Sequence, residues 1–76
     1  MSEQGWRAAV RADMAEQQLS VTGVAEHMGL DRGTLSRWLE GHKRPSDAKL
    51  RVLALLLGKP EQHYIAMRNH EESEAA

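Results

Sequence analysis

Residues 19–41 read LSVTGVAEHMGLDRGTLSRWLEG, and this stretch predicts two short helices joined by a tight turn. Ser20 would begin the first helix, because its hydroxyl can accept a hydrogen bond from an unpaired backbone N–H of the first turn. Gly29 would end it, since glycine readily takes the left-handed conformation of a tight exit. Asp31 would cap the second helix, and Gly41 would stop it.

The second of these helices has two contrasting faces. Leu35, Trp38 and Leu39 follow one another at i, i+3 and i+4, a spacing that predicts burial against a core. The opposite face presents Arg32, Gly33, Ser36, Arg37 and Glu40. Two short helices with a glycine at the turn are typical of proteins that place the second helix in the DNA major groove.

The rest of the chain predicts three more helices and no strand. Apolar residues at helical spacing indicate a helix over residues 6–18. Ser46 would cap a fourth helix running to Gly58, and Pro60 would open a short fifth one reaching about Asn69. The predicted fold is all-α: a compact five-helix bundle with a central helix-turn-helix, forming one DNA-binding domain over residues 1–70. An acidic tail, residues 71–76, is expected to be disordered.

The composition argues against several classes of function. The 76 residues form one small domain without cysteine, so neither a disulfide nor a thiolate metal site is available. The four histidines show no recognised zinc spacing, and no metal or cofactor is expected. They are His27, His42, His63 and His70. Without a nucleophile elbow or pocket-forming length, we do not expect an enzyme.

The charge is uneven along the chain. The net charge is −1, yet residues 31–51 hold six basic and three acidic residues, while residues 71–74 hold three acidic ones and no base. The longest apolar run, residues 52–57, is far shorter than the roughly 20 residues of a membrane span. These features favour a cytoplasmic protein with no membrane segment and one modestly basic surface.

The stretch quoted above, continued by Lys43-Arg44-Pro45-Ser46 and by the helix ending Leu56-Leu57-Gly58, resembles the helix-turn-helix family of Cro and the phage lambda-type repressors, often called XRE-like. The resemblance covers about residues 6–67. It implies a lambda-repressor-like fold, double-stranded DNA as the partner, base reading by the third helix, and usually a twofold-symmetric dimer.

The resemblance also assigns DNA contacts residue by residue. Its groove-facing positions are occupied by Arg32, Gly33, Ser36 and Arg37, and an arginine there can donate two bonds to guanine. Thr34 is expected at a phosphate or a thymine methyl group. The start of the second helix favours a phosphate, and the loop after the third helix holds the DNA backbone. Those remaining contacts are Ser20, Thr22, Lys43 and Arg44.

The chain departs from the family pattern in three ways. Gly33 has no side chain where many relatives carry a base-reading residue. Val21 replaces a polar residue at the start of the second helix. Met14 and Leu39 stand where the family often buries an arginine and a glutamate, and two packed apolar residues are often as stable as such an ion pair.

The fourth helix has more apolar residues than one buried stripe requires. Val52, Leu55 and Leu56 lie outside the stripe, which indicates either deeper burial under the fifth helix or a subunit interface. We favour a homodimer interface that these residues form together with Tyr64.

Three functions are consistent with the sequence. The first is a homodimeric transcriptional regulator, more specifically a repressor, on a pseudo-palindromic operator. The second is an antitoxin-type interaction module that neutralises a partner protein, for which the apolar fourth helix and the charged tail are also suited. The third is a helical domain that has kept the fold and lost DNA binding.

Overall fold

The computed structural model describes residues 5–75, and every regular element among them is a helix. The five helices are α1 (Trp6–Glu16), α2 (Val21–Met28), α3 (Arg32–Glu40), α4 (Asp47–Leu56) and α5 (His63–Ala75). The predicted all-α, five-helix fold is therefore confirmed for these residues. Residues 1–4 and 76, which the predicted domain and tail boundaries include, lie outside the described residues.

Three helices begin at the side-chain caps that the sequence predicts. The cap oxygen and its backbone N–H donor lie 3.0 Å apart for Ser20 and Gly23, 3.2 Å for Asp31 and Thr34, and 3.3 Å for Ser46 and Lys49. The exits are confirmed too, since Gly29 and Gly41 have φ of 72° and 87°. Local chemistry thus fixes the limits of α2 and α3.

One apolar core joins all five helices. Helix α3 packs on α1 and α2, α4 packs on α2 and α5, and α1 also packs on α5. Trp6 and Trp38 are 1% and 3% exposed, so both tryptophans belong to this core, as their positions in the apolar stripes predict. Leu30, in the turn between α2 and α3, packs against it as well.

Two predicted helix ends lie beyond the observed ones. Helix α1 ends at Glu16 rather than residue 18, because Gln18 takes a left-handed φ of 59°. Helix α4 ends at Leu56, and Gly58 has a φ of 77°. Both differences are at helix termini, where one or two residues commonly separate expectation from observation.

The fifth helix departs more from its prediction. Pro60 belongs to a turn in which its carbonyl accepts from the His63 N–H at 3.0 Å, and α5 begins only at His63. At the other end α5 continues to Ala75, past its predicted end near Asn69, and so includes residues 71–75 of the predicted acidic tail. Tertiary contacts of the first acidic residues there, described below, hold this end of the helix in place.

Tyr64 is a core residue, which corrects its predicted place in a dimer interface. Its side chain is 0% exposed, and its hydroxyl donates to the Asp13 carboxylate. Burial, together with that carboxylate, raises the pKa of Tyr64 above its usual range. The ring fills the space between α1 and α5 and is unavailable to a partner subunit.

Candidate nucleic-acid interface

Helix α3 has one buried face and one exposed face. Leu35, Trp38 and Leu39 are 0%, 3% and 5% exposed. On the other face Arg32 and Arg37 are exposed, while the positions of Gly33 and Ser36 are partly exposed. The structure therefore brings the four predicted groove-facing residues to one solvent-facing side of a helix whose opposite side is locked into the core.

Arg37 folds back along α3 over Gly33. A Cβ atom added at residue 33 would lie 3.2 Å from Nη1 of Arg37 and 3.5 Å from a carboxylate oxygen of Asp31. The absent side chain at Gly33 thus leaves room for the Arg37 guanidinium beside the first turn of the helix. Gly33 therefore affects the exposed face of α3 by letting the Arg37 side chain lie against the helix.

Thr34 is committed to the cap of α3. Its hydroxyl donates to the Asp31 carboxylate, and its backbone N–H donates to the same oxygen. These two bonds, and to a smaller extent the Arg37 charge, hold the pKa of Asp31 below its usual range. Because the hydroxyl hydrogen is used within the cap, Thr34 presents its methyl group and a hydroxyl oxygen that can only accept.

Two hydroxyl side chains lie at the start of α2. Thr22 is exposed, whereas Ser20 accepts the Gly23 N–H. Val21, the apolar departure from the family pattern, packs against the core. A phosphate at this end of α2 would meet backbone N–H groups, Thr22, and Ser20, whose hydroxyl accepts in the cap and keeps its own hydrogen to donate.

In the basic loop between α3 and α4, Arg44 is in an ion pair, and Lys43 has no such partner among residues 5–75. Lys43 and Arg44 are both exposed. Arg44 donates from Nε and Nη2 to the two carboxylate oxygens of Glu72 in α5, at 2.7 Å and 3.0 Å. Arg44, which we predict to contact the DNA backbone, is therefore paired with Glu72 of the acidic segment.

Arg68 of α5 is buried and bonds to the end of this loop. It is 3% exposed, donates to the Pro45 carbonyl at 2.9 Å, and pairs with the Asp47 carboxylate. The Arg68 guanidinium is the main reason that the pKa of Asp47 lies below its usual range. The path of the basic loop thus depends on a buried cation in a different helix.

Two arginines of α1 bind the carboxyl end of α3. Arg7 donates to the Trp38 carbonyl at 2.6 Å, and Arg11 donates to the Leu39 carbonyl at 2.5 Å. The last carbonyls of a helix lack partners within it and carry partial negative charge. These two bonds fix the orientation of α3 relative to α1.

Sequence reasoning did not identify these three arginines as supports of the site. Arg68 follows Tyr64 by four residues on the buried side of α5, and an arginine within an apolar stripe is a signal that was available. Arg7 and Arg11 bond to residues 31 and 28 positions away in the chain. No local pattern indicates such pairing.

The predicted interface residues of α4 differ in exposure. Val52 and Leu55 are 47% and 57% exposed. Leu56 is partly buried and packs against the core. With Tyr64 in the core, Val52 and Leu55 are the two of the four predicted interface residues that are exposed.

Two further features bear on the class of site. Within residues 5–75, no helix has the length and apolar character needed to cross a membrane. Over the same part of the chain, no three histidine, aspartate or glutamate side chains are grouped as a metal ion would require.

A family model described as helix-turn-helix matches residues 10–63, which is more than half of the chain. The match includes all of α2, α3 and α4 together with the basic loop, and it ends at the first residue of α5. No curated protein and no solved structure matches the chain.

Proposed function

The chain belongs to the XRE-like helix-turn-helix family of DNA-binding regulators, and from this membership we propose that it is a cytoplasmic transcriptional repressor acting as a homodimer on a pseudo-palindromic operator. The observation that supports this most is the division of α3 into a fully packed face and a solvent-facing face with two exposed arginines. A rigid helix with arginines on its free side is suited to the major groove, where arginine pairs with guanine.

In the proposed complex, α3 reads bases and its surroundings bind the backbone. Arg32, Ser36 and Arg37 would reach base edges, while Gly33 would allow close approach and Thr34 would present its methyl group. The phosphate contacts, which set position without reading sequence, would come from the start of α2 and the basic loop. Their residues are Ser20, Thr22, Lys43 and Arg44.

A homodimer explains the apolar surface of α4. Val52 and Leu55 are about half exposed, and full burial of an aliphatic side chain of this size contributes about 1.5–3 kcal/mol. Single domains of this size are stable by only about 5–15 kcal/mol, so covering both residues matters. A twofold dimer also doubles the base contacts by presenting two α3 helices to half-sites about 34 Å apart.

Selection of bound duplexes from a random pool tests the proposed function directly. We expect enrichment of a short sequence repeated in inverted orientation, with half-site centres about one helical turn apart. Salt-dependent binding without any enriched sequence would contradict an operator-reading role. The absence of binding to every duplex would favour a domain that has lost DNA binding.

Substitution of Arg37 and of Lys43 is expected to affect binding differently. Arg37→Ala should weaken operator binding by about 1–3 kcal/mol and relax the preference at one base pair, because a base contact is lost. Lys43→Ala should weaken binding to all sequences evenly and reduce the salt slope of log K by about one, because a phosphate contact is lost. Fluorescence anisotropy on matched operator variants over a salt series measures both effects.

Arg51→Ala is the control for these two variants, since Arg51 lies in α4 and pairs with Glu61 at 3.6 Å. It should leave affinity and base preference near those of the wild type. An Arg37→Ala protein that bound every operator variant more weakly by the same factor would show that Arg37 does not read a base.

The exposed Val52 and Leu55 also favour a second candidate, an antitoxin-type module that covers a partner protein with α4. Purification of the native protein from its source distinguishes the two. A homodimer as the only species supports the repressor, whereas a stoichiometric second polypeptide released by Leu55→Lys supports the antitoxin.

A further inference from the structure

The acidic end of α5 lies against the surface that the proposed function assigns to DNA. Glu72 accepts two hydrogen bonds from Arg44, and its carboxylate lies 4.0 Å from Arg68. The family match stops at residue 63, so Glu72 and Arg68 both belong to a segment outside it. The carboxylate that pairs with Arg44 thus comes from outside the matched region, whereas Arg44 and its loop lie within it.

The Arg44–Glu72 pair uses the donors that a phosphate would require. An arginine binds carboxylate and phosphate in the same way, through two parallel N–H bonds along one edge of the guanidinium. Nε and Nη2 of Arg44 form such an edge with Glu72. A DNA phosphate approaching that edge would have to displace the carboxylate.

Both partners of the pair are held in place by other contacts. On the loop side, Arg68 binds the Pro45 carbonyl next to Arg44. On the helix side, the Glu71 carboxylate accepts the backbone N–H of Trp6 at the start of α1. Because these contacts fix the backbone on both sides of the pair, forming it requires no ordering of the loop or of the helix end, and the cost that remains is the rotamer freedom of the two exposed side chains.

We propose that Glu72 competes with DNA phosphate for Arg44, so that the end of α5 lowers the affinity of the protein for any duplex. This inference rests on the proposed DNA-binding function. The hydrogen bonds from Arg44 also hold the pKa of Glu72 below its usual range, so the competing group is a carboxylate at neutral pH. Since a phosphate contact carries no sequence information, the competition weakens non-specific and operator binding by the same factor.

The test is a double-substitution cycle of full-length variants on a random-sequence duplex at low salt. Glu72→Gln should bind about two- to fivefold more tightly than the wild type, the range expected when one exposed ion pair no longer has to be broken. Arg44→Gln should cost more affinity in the Glu72→Gln protein than in the wild type, by that same factor. Anisotropy titrations at fixed salt measure all four affinities.

Two matched controls separate competition from a simple change in net charge. Glu74→Gln removes the same charge two residues further along α5, where Glu74 lies near His70 at 3.3 Å. Lys43→Gln removes the cation adjacent to Arg44. We expect Glu74→Gln to raise affinity less than Glu72→Gln, and Lys43→Gln to cost the same with or without Glu72.

The outcomes are distinct. Equal effects of Glu72→Gln and Glu74→Gln, or an Arg44→Gln cost that does not depend on residue 72, would overturn the competition while leaving DNA binding intact. Failure of the wild type and all variants to bind any duplex would reject the proposed function and the competition with it. Circular dichroism of each variant confirms that the compared proteins are folded.

Discussion

Leu55→Lys is expected to yield a folded monomer that binds the full operator about 10²- to 10⁴-fold more weakly than the wild type, because the advantage of linked binding to two half-sites is lost. Leu55 is 57% exposed, so a lysine at this position would be solvated in the monomer. It would disrupt only the packing of a second subunit over this position. Binding to an isolated half-site should remain as weak as that of one wild-type subunit. Sedimentation equilibrium at micromolar concentration, with titrations on full and half operators, measures these effects.

Val52→Glu tests the same surface with the opposite charge. It should also give a monomer, which separates loss of the interface from any general attraction of an added lysine to DNA. Ala12→Lys, at an exposed position of α1, adds the charge of Leu55→Lys elsewhere and should leave the dimer intact. A wild type that is monomeric at these concentrations would contradict the α4 interface and leave Val52 and Leu55 as exposed apolar residues of a single subunit.

Leu39→Glu is expected to destabilise the fold by several kcal/mol, since it places a carboxylate in the core without a cation to pair with it. Leu39 is 5% exposed and belongs to the same apolar cluster as Met14. Against a total stability of about 5–15 kcal/mol, this change should leave much of the protein unfolded at moderate temperature. Urea denaturation followed by circular dichroism gives the free energy of unfolding.

Met14→Arg in the same protein should restore much of the stability lost with Leu39→Glu, because it recreates the ion pair that the family often buries between these helices. Leu39→Met is the control, since a swap that conserves volume usually costs less than about 1.5 kcal/mol. A double variant no more stable than Leu39→Glu would show that the two side chains do not meet. A single variant as stable as the wild type would indicate that the glutamate reaches solvent or Arg11, which already donates to the Leu39 carbonyl.

The three supporting arginines change how the basic residues of this chain are understood. Arg7 and Arg11 donate to the last carbonyls of α3, and Arg68 donates to the loop before α4. Charge counting along the sequence treats every arginine as a candidate for phosphate binding. The structure shows that these three stabilise the positions of the elements that carry the proposed DNA contacts.

The sequence by itself determined the helices of the central motif and the face that each one buries. Caps such as Ser20 and Asp31 bond to a backbone N–H three residues away, so the information lies within one turn. Glycines at left-handed exits are equally local, since the missing Cβ removes the steric cost. The buried stripe of α3 follows from helical periodicity alone, and for these reasons the two faces of α3 were correctly predicted.

Only the tertiary structure decided the course of α5 and the state of the groups around the basic loop. The buried Tyr64 donates to Asp13, 51 residues earlier, and Arg44 donates to Glu72, 28 residues later. Contacts over such separations depend on how whole helices pack, and a single sequence carries no local signal of them. The end of α5 is an example, because Glu71 and Glu72 lie in a segment whose composition is typical of a disordered tail, yet they are helical and contact Trp6 and Arg44.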